Sequence, residues 1–322
     1  MREAAFINQN HKKWEEFENI LSEKSPDPDK LAELFIQITD DLAFSLTQYP
    51  DSKTTFYLNG LASQVHQNVY RTKKERKNRP LQFWKYDLPL LIKSCHKYLL
   101  YSFIIFSVSM IIGAVSTAHD DTFVRLILGD EYVNMTLENI DRNDPMAVYK
   151  SMNQTDMFLR ITLNNIYVSF LAFTLGILIP LGTPYILFRN GLMLGAFQYF
   201  FYQQGLFVDS FLSIWIHGTL EISAIIIAGA AGLVIANSIM FPGTFTRLDS
   251  FRQGTRKGVK IVVGLIPIFI LAGFLESFVT RYTELPEILK ALIILVSAFF
   301  IIFYFIIYPN ILSKRGTEKN RI

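Results

Sequence analysis

The feature that most constrains this chain is a series of long, uncharged apolar runs that begins at Tyr98. A helix of roughly 20 apolar residues crosses the hydrocarbon core of a bilayer, because it satisfies its own backbone hydrogen bonds there. A soluble helical core does not need so many uncharged runs of this length. The sequence therefore predicts an all-α, polytopic membrane protein. The runs are Tyr98–Ala118, Ile161–Leu187, Phe211–Met240, Ile261–Phe278 and Ile288–Tyr308.

The distribution of charge predicts how these segments are oriented. Lys and Arg concentrate in the cytoplasmic segments of membrane proteins. Residues 71–97, 241–260 and 313–322 are basic, whereas residues 119–160 carry eight acidic residues against four basic ones. We therefore expect residues 119–160 to form an outer loop, and both termini to lie in the cytoplasm.

A short inner turn is predicted at the end of the second run. The residues assigned to it are Arg189, Asn190 and Gly191. An even number of crossings must then lie between this turn and Phe241. We predict a short crossing over Gly191–Gln203 and a long one over Phe211–Met240, which gives about six crossings in all. A re-entrant segment within residues 191–216 is the alternative, tolerated if it is buried in protein.

The polar N-terminal region predicts a separate helical domain. Its apolar residues recur at helical spacing, which is typical of faces that pack in a bundle. Leu46 and Phe56 are among the residues assigned to those buried faces. The predicted organisation is a cytoplasmic helical bundle over residues 1–79, an interfacial amphipathic segment over 80–97, a helical membrane domain over 98–312 and a basic cytoplasmic tail over 313–322.

The basic run before the first crossing suits the lipid headgroup layer, where Lys, Arg and Trp side chains are enriched. Its position beside a membrane segment favours phospholipid over nucleic acid as the partner. Cys95 is the single cysteine, which excludes a disulfide within the chain. No apolar stretch opens the sequence, so no cleavable signal peptide is predicted. The residues expected to contact headgroups are Arg76, Lys77, Arg79, Trp84 and Lys85.

Polar side chains inside the apolar region form the candidate site. His217 and Glu221 are four residues apart, and therefore lie one turn apart on one helical face. Ionisable groups at membrane depth are costly and usually face protein or water. Glu276 is expected at the same depth, with Asn164 and Asn165 near the outer end of the second run. These side chains could therefore face one cavity.

Three interpretations of His217 and Glu221 stay open. In the first, a neutral His217 bonds to Glu221 or to a backbone carbonyl and locks two helices together. Ion or proton handling comes second, and catalysis or metal binding last, because a zinc site usually has three or four protein ligands. Small residues around the pair predict close helix packing. They are Gly218, Ala228, Gly229 and Gly232.

Known catalytic motifs do not occur in the sequence. There is no nucleotide-binding glycine loop, no Gly-x-Ser-x-Gly elbow and no His-Glu-x-x-His helix. We therefore predict that the chain is not an enzyme, with no catalytic residue, no metal ligand and no cofactor.

Several segments carry a resemblance to a known family. The most specific is His217-Gly-Thr-Leu-Glu-Ile with Ile227-Ala-Gly-Ala-Ala-Gly-Leu; Tyr49-Pro-Asp-Ser-Lys-Thr-Thr-Phe and Arg189-Asn-Gly-Leu-Met-Leu-Gly add to it. On these segments the chain resembles the stage II sporulation protein M family over almost its whole length. The resemblance implies a bacterial inner-membrane protein. It also implies peptidoglycan-remodelling partners, since the family's namesake works with such proteins during engulfment in spore formers.

Two functions follow from these observations. The first is a non-enzymatic scaffold of a cell-envelope complex, which assembles with envelope proteins and with itself as a dimer. The second is a transporter or channel that uses His217, Glu221 and Glu276 as a protonatable or ion-binding site. A water-filled cavity around Glu221 would favour passage, whereas a dry, packed contact between His217 and Glu221 would favour the scaffold.

Overall fold

The computed structural model describes residues 2–22, 28–70, 79–147, 153–178, 181–282 and 285–319. Every regular element within these residues is a helix, which confirms the all-α prediction. The chain divides into two compact units, Met1–Arg79 and Pro80–Ile322. Each unit has its own hydrophobic core and is described separately.

The first unit is a bundle of three helices, α1 (Glu3–Ser22), α2 (Pro28–Gln48) and α3 (Lys53–Tyr70). The Trp14 indole joins α1 to α2, because its Nε1 donates a hydrogen bond of 2.8 Å to the Asp41 carboxylate. Apolar residues from all three helices meet in one core, as their helical spacing predicts. The fully buried members are Phe6, Trp14, Phe17, Ile20, Leu34, Ile38, Leu58 and Leu61.

Two residues that the sequence assigned to buried faces of this bundle are exposed. Leu46 is 53% exposed and Phe56 is 69% exposed. The inward face of α2 continues through Ser45, and that of α3 through Leu58 and Leu61, so their neighbours at Leu46 and Phe56 point away. The bundle therefore presents large apolar side chains on its surface.

The second unit comprises the remaining helices. In chain order they are α4 (Arg79–Gln82), a π-helical turn (Phe83–Asp87), α5 (Leu88–Ser94), α6 (His96–His119), α7 (Asp121–Leu128), α8 (Asp130–Asp141), α9 (Gln154–Leu178), α10 (Gly182–Gln203), α11 (Phe207–Met240), α12 (Arg247–Phe274) with a π-helical turn (Leu275–Thr280), α13 (Glu287–Ile302) with a π-helical turn (Phe303–Ile307), and α14 (Tyr308–Lys319).

The segment before α6 is held against later helices. The Trp84 Nε1 donates a 3.2 Å hydrogen bond to the carbonyl oxygen of Gly264 in α12. The Tyr304 and Tyr308 hydroxyls donate to the carbonyl oxygens of Trp84 and Lys85. Both Trp84 and Lys85 keep exposed side chains, and their contact with headgroups stays a prediction. Of the other three predicted headgroup residues, Arg76 and Lys77 lie outside the described residues, as does the side chain of Arg79.

The membrane helices agree with about six crossings. Five stretches of the described chain are long and apolar enough to cross a membrane: α6, most of α9, α11, α12 with its π turn, and α13 with the helix that continues it. The 22 residues of α10 extend for about 33 Å, which is long enough for the predicted sixth crossing. The second unit is therefore a helical membrane domain. The end of this domain that carries α7 and α8, where the sequence predicted an outer loop, is called the outer end below.

The predicted inner turn is wrong. Arg189, Asn190 and Gly191 lie inside α10, which begins at Gly182, whereas α9 ends at Leu178. Pro184 is compatible with the first turn of α10 because the first N–H groups of a helix have no intrahelical partner. The second apolar run is thus divided between α9 and α10. Residues 191–216 belong to the two helices α10 and α11 and to the short connection between them.

Gly191 explains why a turn-like tripeptide lies inside a helix. A side chain at Gly191 would collide with Phe106 and Ser109 of α6, and one at Gly195 would collide with Met110. The two helices therefore approach closely along these glycines. They run parallel, because the later glycine of α10 contacts the later residue of α6. Arg189 is exposed on the opposite side of α10, where a long side chain can reach the headgroup layer.

Candidate functional site

A cavity of about 730 Å³ occupies the outer half of the membrane domain. Its outer part lies against Ile127 and Leu128 of α7 and Tyr132 of α8. Its inner part reaches Phe106 and Asn190, which lie near the middle of α6 and α10. Most of its wall is apolar, and the polar side chains are concentrated on α9, α11 and the π turn after α12. They are Arg160, Asn164, Asn165, His217, Glu221 and Glu276, with Asn190 from α10.

Three ionisable side chains meet in this cavity. One donor atom each from His217, Glu221 and Glu276 lies within 4.8 Å of the others. His217 and Glu221 follow the outer start of α11 by 10 and 14 residues, or roughly 15 Å and 21 Å. Glu276 comes from the π turn that continues α12. Because these groups lie at membrane depth and at least partly out of water, the cluster is costly unless something compensates its charge.

The His217 ring contacts two residues of the same π turn. Its Nδ1 lies 3.1 Å from the Thr280 hydroxyl, and its Nε2 lies 3.8 Å from a carboxylate oxygen of Glu276. The first contact is a hydrogen bond, whereas the second is too long to be one. The ring is therefore oriented by Thr280, with Nε2 directed toward the carboxylates.

Amide and phenol groups complete the polar part of the cavity. Asn165 is buried, and its amide nitrogen has no hydrogen bond of normal geometry among the described residues. It lies beside the carboxylate of Glu221. Asn164 is exposed and Arg160 lies one turn nearer the outer end. Burial raises the pKa of Tyr132 in α8 to about 12, so this phenol stays neutral at physiological pH.

The inner half of the domain is closed by close helix packing. A side chain added at Gly229 would collide with Leu187 and Ser102, and one added at Gly232 would collide with Thr183 and a backbone oxygen of α9. The Ser102 hydroxyl also donates a hydrogen bond of 2.6 Å to the carbonyl oxygen of Ile226. The helices α6, α9, α10 and α11 therefore meet without room for water at this level.

The structure brings together the five polar residues that the sequence singled out in the apolar region. Asn164, Asn165, His217, Glu221 and Glu276 all line the one cavity. The small residues that the sequence predicted at close helix contacts fall into two groups. Ala228 is fully buried, and Gly229 and Gly232 are packed against other helices. Gly218 differs, since a side chain there would meet only Ile214 and Ile222 of its own helix, and it lines the cavity instead.

Sequence reasoning missed Thr280, which contacts His217, and three residues that line the cavity. Thr280 follows Glu276 by four residues and Arg160 precedes Asn164 by four, so a search at helical spacing around the predicted residues finds both. Asn190 was noticed as part of a turn, and its position in the cavity follows from the correct course of α10. Tyr132 carries no signal, because nothing in the sequence indicates that α8 folds over the cavity.

Comparison with known proteins gives two family matches. The model of the family described as Stage II sporulation protein M matches residues 102–281, which include α9 to α12 and every polar residue of the cavity. A second model, described as Domain of unknown function (DUF8413), matches residues 4–71, the three-helix bundle. No curated protein and no solved structure matches the chain.

Proposed function

Because the chain belongs to the stage II sporulation protein M family, we propose that this membrane protein admits a small ion from the outer face to an intramembrane site formed by His217, Glu221 and Glu276. The family match covers the whole of that site. The proposal assigns the chain a role in binding and passage, and no covalent chemistry. The proposal takes the bacterial inner membrane from what the family resemblance implies, and the cytoplasmic position of both termini from the charge distribution.

The observation that carries this proposal is the cavity around Glu221. A purely structural role predicts a dry contact between His217 and Glu221, but His217 bonds to Thr280 and both residues border an open volume. The cavity has polar groups on three helices, which a packing contact does not need. A polar cavity in the outer half of the domain, beside an inner half in which the helices pack closely, supports a role in passage by alternating access.

Access to the cavity can be measured by thiol labelling. In a Cys95→Ser background, Asn164→Cys should react with a charged, membrane-impermeant maleimide from the outer side, because water in the cavity allows the thiolate to form. Leu163→Cys is the matched control: Leu163 is the adjacent residue and is 64% exposed on the lipid side of α9. If both positions react equally slowly, the cavity is not open to outer water and the proposal fails.

Passage can be measured in proteoliposomes. Trapped pyranine reports protons, and trapped calcein reports divalent transition metals through quenching. Glu221→Gln should abolish whichever signal the unaltered chain gives, because the substitution removes the carboxylate charge and keeps its size. Glu287→Gln is the control, since Glu287 is exposed at the start of α13 and outside the cavity. Equal signals for the unaltered chain and Glu221→Gln with both dyes would remove passage as the function.

A scaffold role is the second candidate, and the surface of the N-terminal bundle favours it. Ile36, Leu46 and Phe56 are large apolar side chains that are more than half exposed on this unit. Large apolar side chains that remain exposed can mark a site of protein or membrane contact. Envelope proteins, peptidoglycan-remodelling proteins or a second copy of the chain are the proposed partners. In vivo cross-linking that recovers the chain without any partner would contradict this role.

A further inference from the structure

We infer that the cavity binds one divalent transition-metal ion through His217, Glu221 and Glu276. The inference rests on the proposed function and specifies the ion it concerns. One imidazole nitrogen and two carboxylates are a donor set that Mn²⁺, Fe²⁺, Co²⁺ and Zn²⁺ accept, whereas Mg²⁺ and Ca²⁺ are bound chiefly by oxygen. The imidazole in the cluster therefore selects for transition metals.

Distances in the cluster are those of a site that closes on an ion with small side-chain movements. Ligand atoms lie about 2.0–2.2 Å from a zinc ion, so two atoms that share it can be at most about 4 Å apart. Nε2 of His217 and the Glu276 oxygen are 3.8 Å apart, within that limit. All three donors lie within 4.8 Å of one another, so a change of side-chain torsion brings the Glu221 oxygen into range.

Thr280 holds the ring as the outer partner of a metal-bound histidine does. Such a histidine usually donates its second ring N–H to a fixed acceptor, which sets the tautomer and leaves the other nitrogen free for the metal. With the proton on Nδ1 and donated to the Thr280 hydroxyl at 3.1 Å, the Nε2 lone pair faces the carboxylates.

The charge of the cluster also matches a divalent ion. Two carboxylates close together in a site of low dielectric repel each other, and each favours a counter-charge. A doubly charged cation neutralises both at once. A single proton neutralises one carboxylate and has no need of the imidazole.

Asn165 adds a polar group beside the cluster. Its side chain is 6% exposed, lines the same cavity and lies next to the Glu221 carboxylate. Rotation of this side chain can turn its Oδ1 toward a bound ion, where it can serve as a fourth oxygen ligand.

The test is metal binding by the full chain in nanodiscs, with Co²⁺ and Mn²⁺ as probes. Equilibrium dialysis should find one ion per chain, and Co²⁺ should give a visible absorption band characteristic of nitrogen and oxygen ligands. Glu221→Gln, Glu276→Gln and His217→Ala should each weaken binding by at least about tenfold, while Glu287→Gln leaves it unchanged. Excess Mg²⁺ should not displace the probe. No bound ion, or binding that Glu221→Gln leaves intact, overturns the inference.

Thr280 keeps the test decisive if His217→Ala does not fold. Thr280→Val removes the acceptor for the ring and should weaken Co²⁺ binding by about tenfold, as loss of such partners does in other sites. Thr280→Ser should restore both affinity and spectrum, which a purely structural effect of the threonine would not predict. Equal affinity in the valine and serine variants contradicts the assignment.

The two proposals fail in different ways. If Asn164→Cys is labelled from outside but neither Co²⁺ nor Mn²⁺ binds, the metal inference is wrong and the ion-admitting cavity stands. If Asn164→Cys reacts no faster than Leu163→Cys, the proposed function fails, whatever the dialysis finds.

Discussion

At the scale of single residues, the geometry of His217 fits two roles that the sequence presented as alternatives. Its Nδ1 bond to Thr280 joins α11 to the π turn after α12, as a structural histidine would. The same bond directs Nε2 toward Glu276 and the cavity. A histidine that locks two helices can therefore also present a lone pair, because the two ring nitrogens face different partners.

Two glycines on α11 give a prediction about stability. Gly218 borders the cavity, whereas Gly232 is packed against other helices. Gly218→Ala should leave stability unchanged or raise it by up to about 1 kcal/mol, since the new methyl group meets only its own helix and alanine favours helix. Gly232→Ala should lower it by about 1–3 kcal/mol, because the methyl group collides with Thr183 and a backbone oxygen.

Unfolding of the two variants in detergent, followed by circular dichroism against temperature, measures this difference. Each alanine variant differs from the unaltered chain by one methyl group on the same helix. Helix propensity alone therefore predicts that both substitutions change the stability in the same direction. A Gly232→Ala variant as stable as Gly218→Ala would contradict the packing described for the inner half of the domain.

At the scale of elements, α10 decides the topology around the cavity. The sequence placed a turn at Arg189 because a basic residue followed by Asn and Gly is typical of inner loops. Helical spacing cannot reveal that Gly191 faces a parallel neighbour, since that depends on which helix α10 packs against. The sequence does carry the helix-breaking residues Pro180, Gly182 and Pro184 where α9 ends and α10 begins.

Cysteine labelling tests the course of α10. In the Cys95→Ser background, Leu181→Cys should react with an impermeant maleimide only from the inner side, because Leu181 is 74% exposed immediately before α10. Gln204→Cys should react only from the outer side, as the residue just after the helix. Arg189→Cys should not react from either side, since its exposed face meets lipid. Fast inner labelling at residue 189 would restore the turn that the sequence predicted.

At the scale of the whole molecule, composition and charge predicted more than local motifs did. The division into a polar bundle and a membrane domain, and the number of crossings, follow from where apolar runs begin and where Lys and Arg collect. Five polar residues of the cavity were also found, because each is exceptional in an apolar helix. The cavity itself could not be predicted, because its outer wall comes from α7 and α8, short helices inside a region that carries no membrane signal.

The N-terminal bundle supports the last prediction, which separates the scaffold role from ion handling. Phe56 is 69% exposed and is not part of the hydrophobic core of the bundle. An exposed phenylalanine is a candidate for contact with another protein. If the bundle is a docking surface, Phe56→Ser should reduce cross-linking to partner proteins or to a second copy severalfold, with the bundle still folded. Asn59→Ser, a polar exposed position one turn further along α3, is the control.

Labelling of Asn164→Cys should be the same in both variants, because the cavity lies wholly within residues of the membrane domain. Loss of cavity access in Phe56→Ser would instead show that the bundle regulates the site, and unchanged cross-linking would leave the exposed face without a part in assembly.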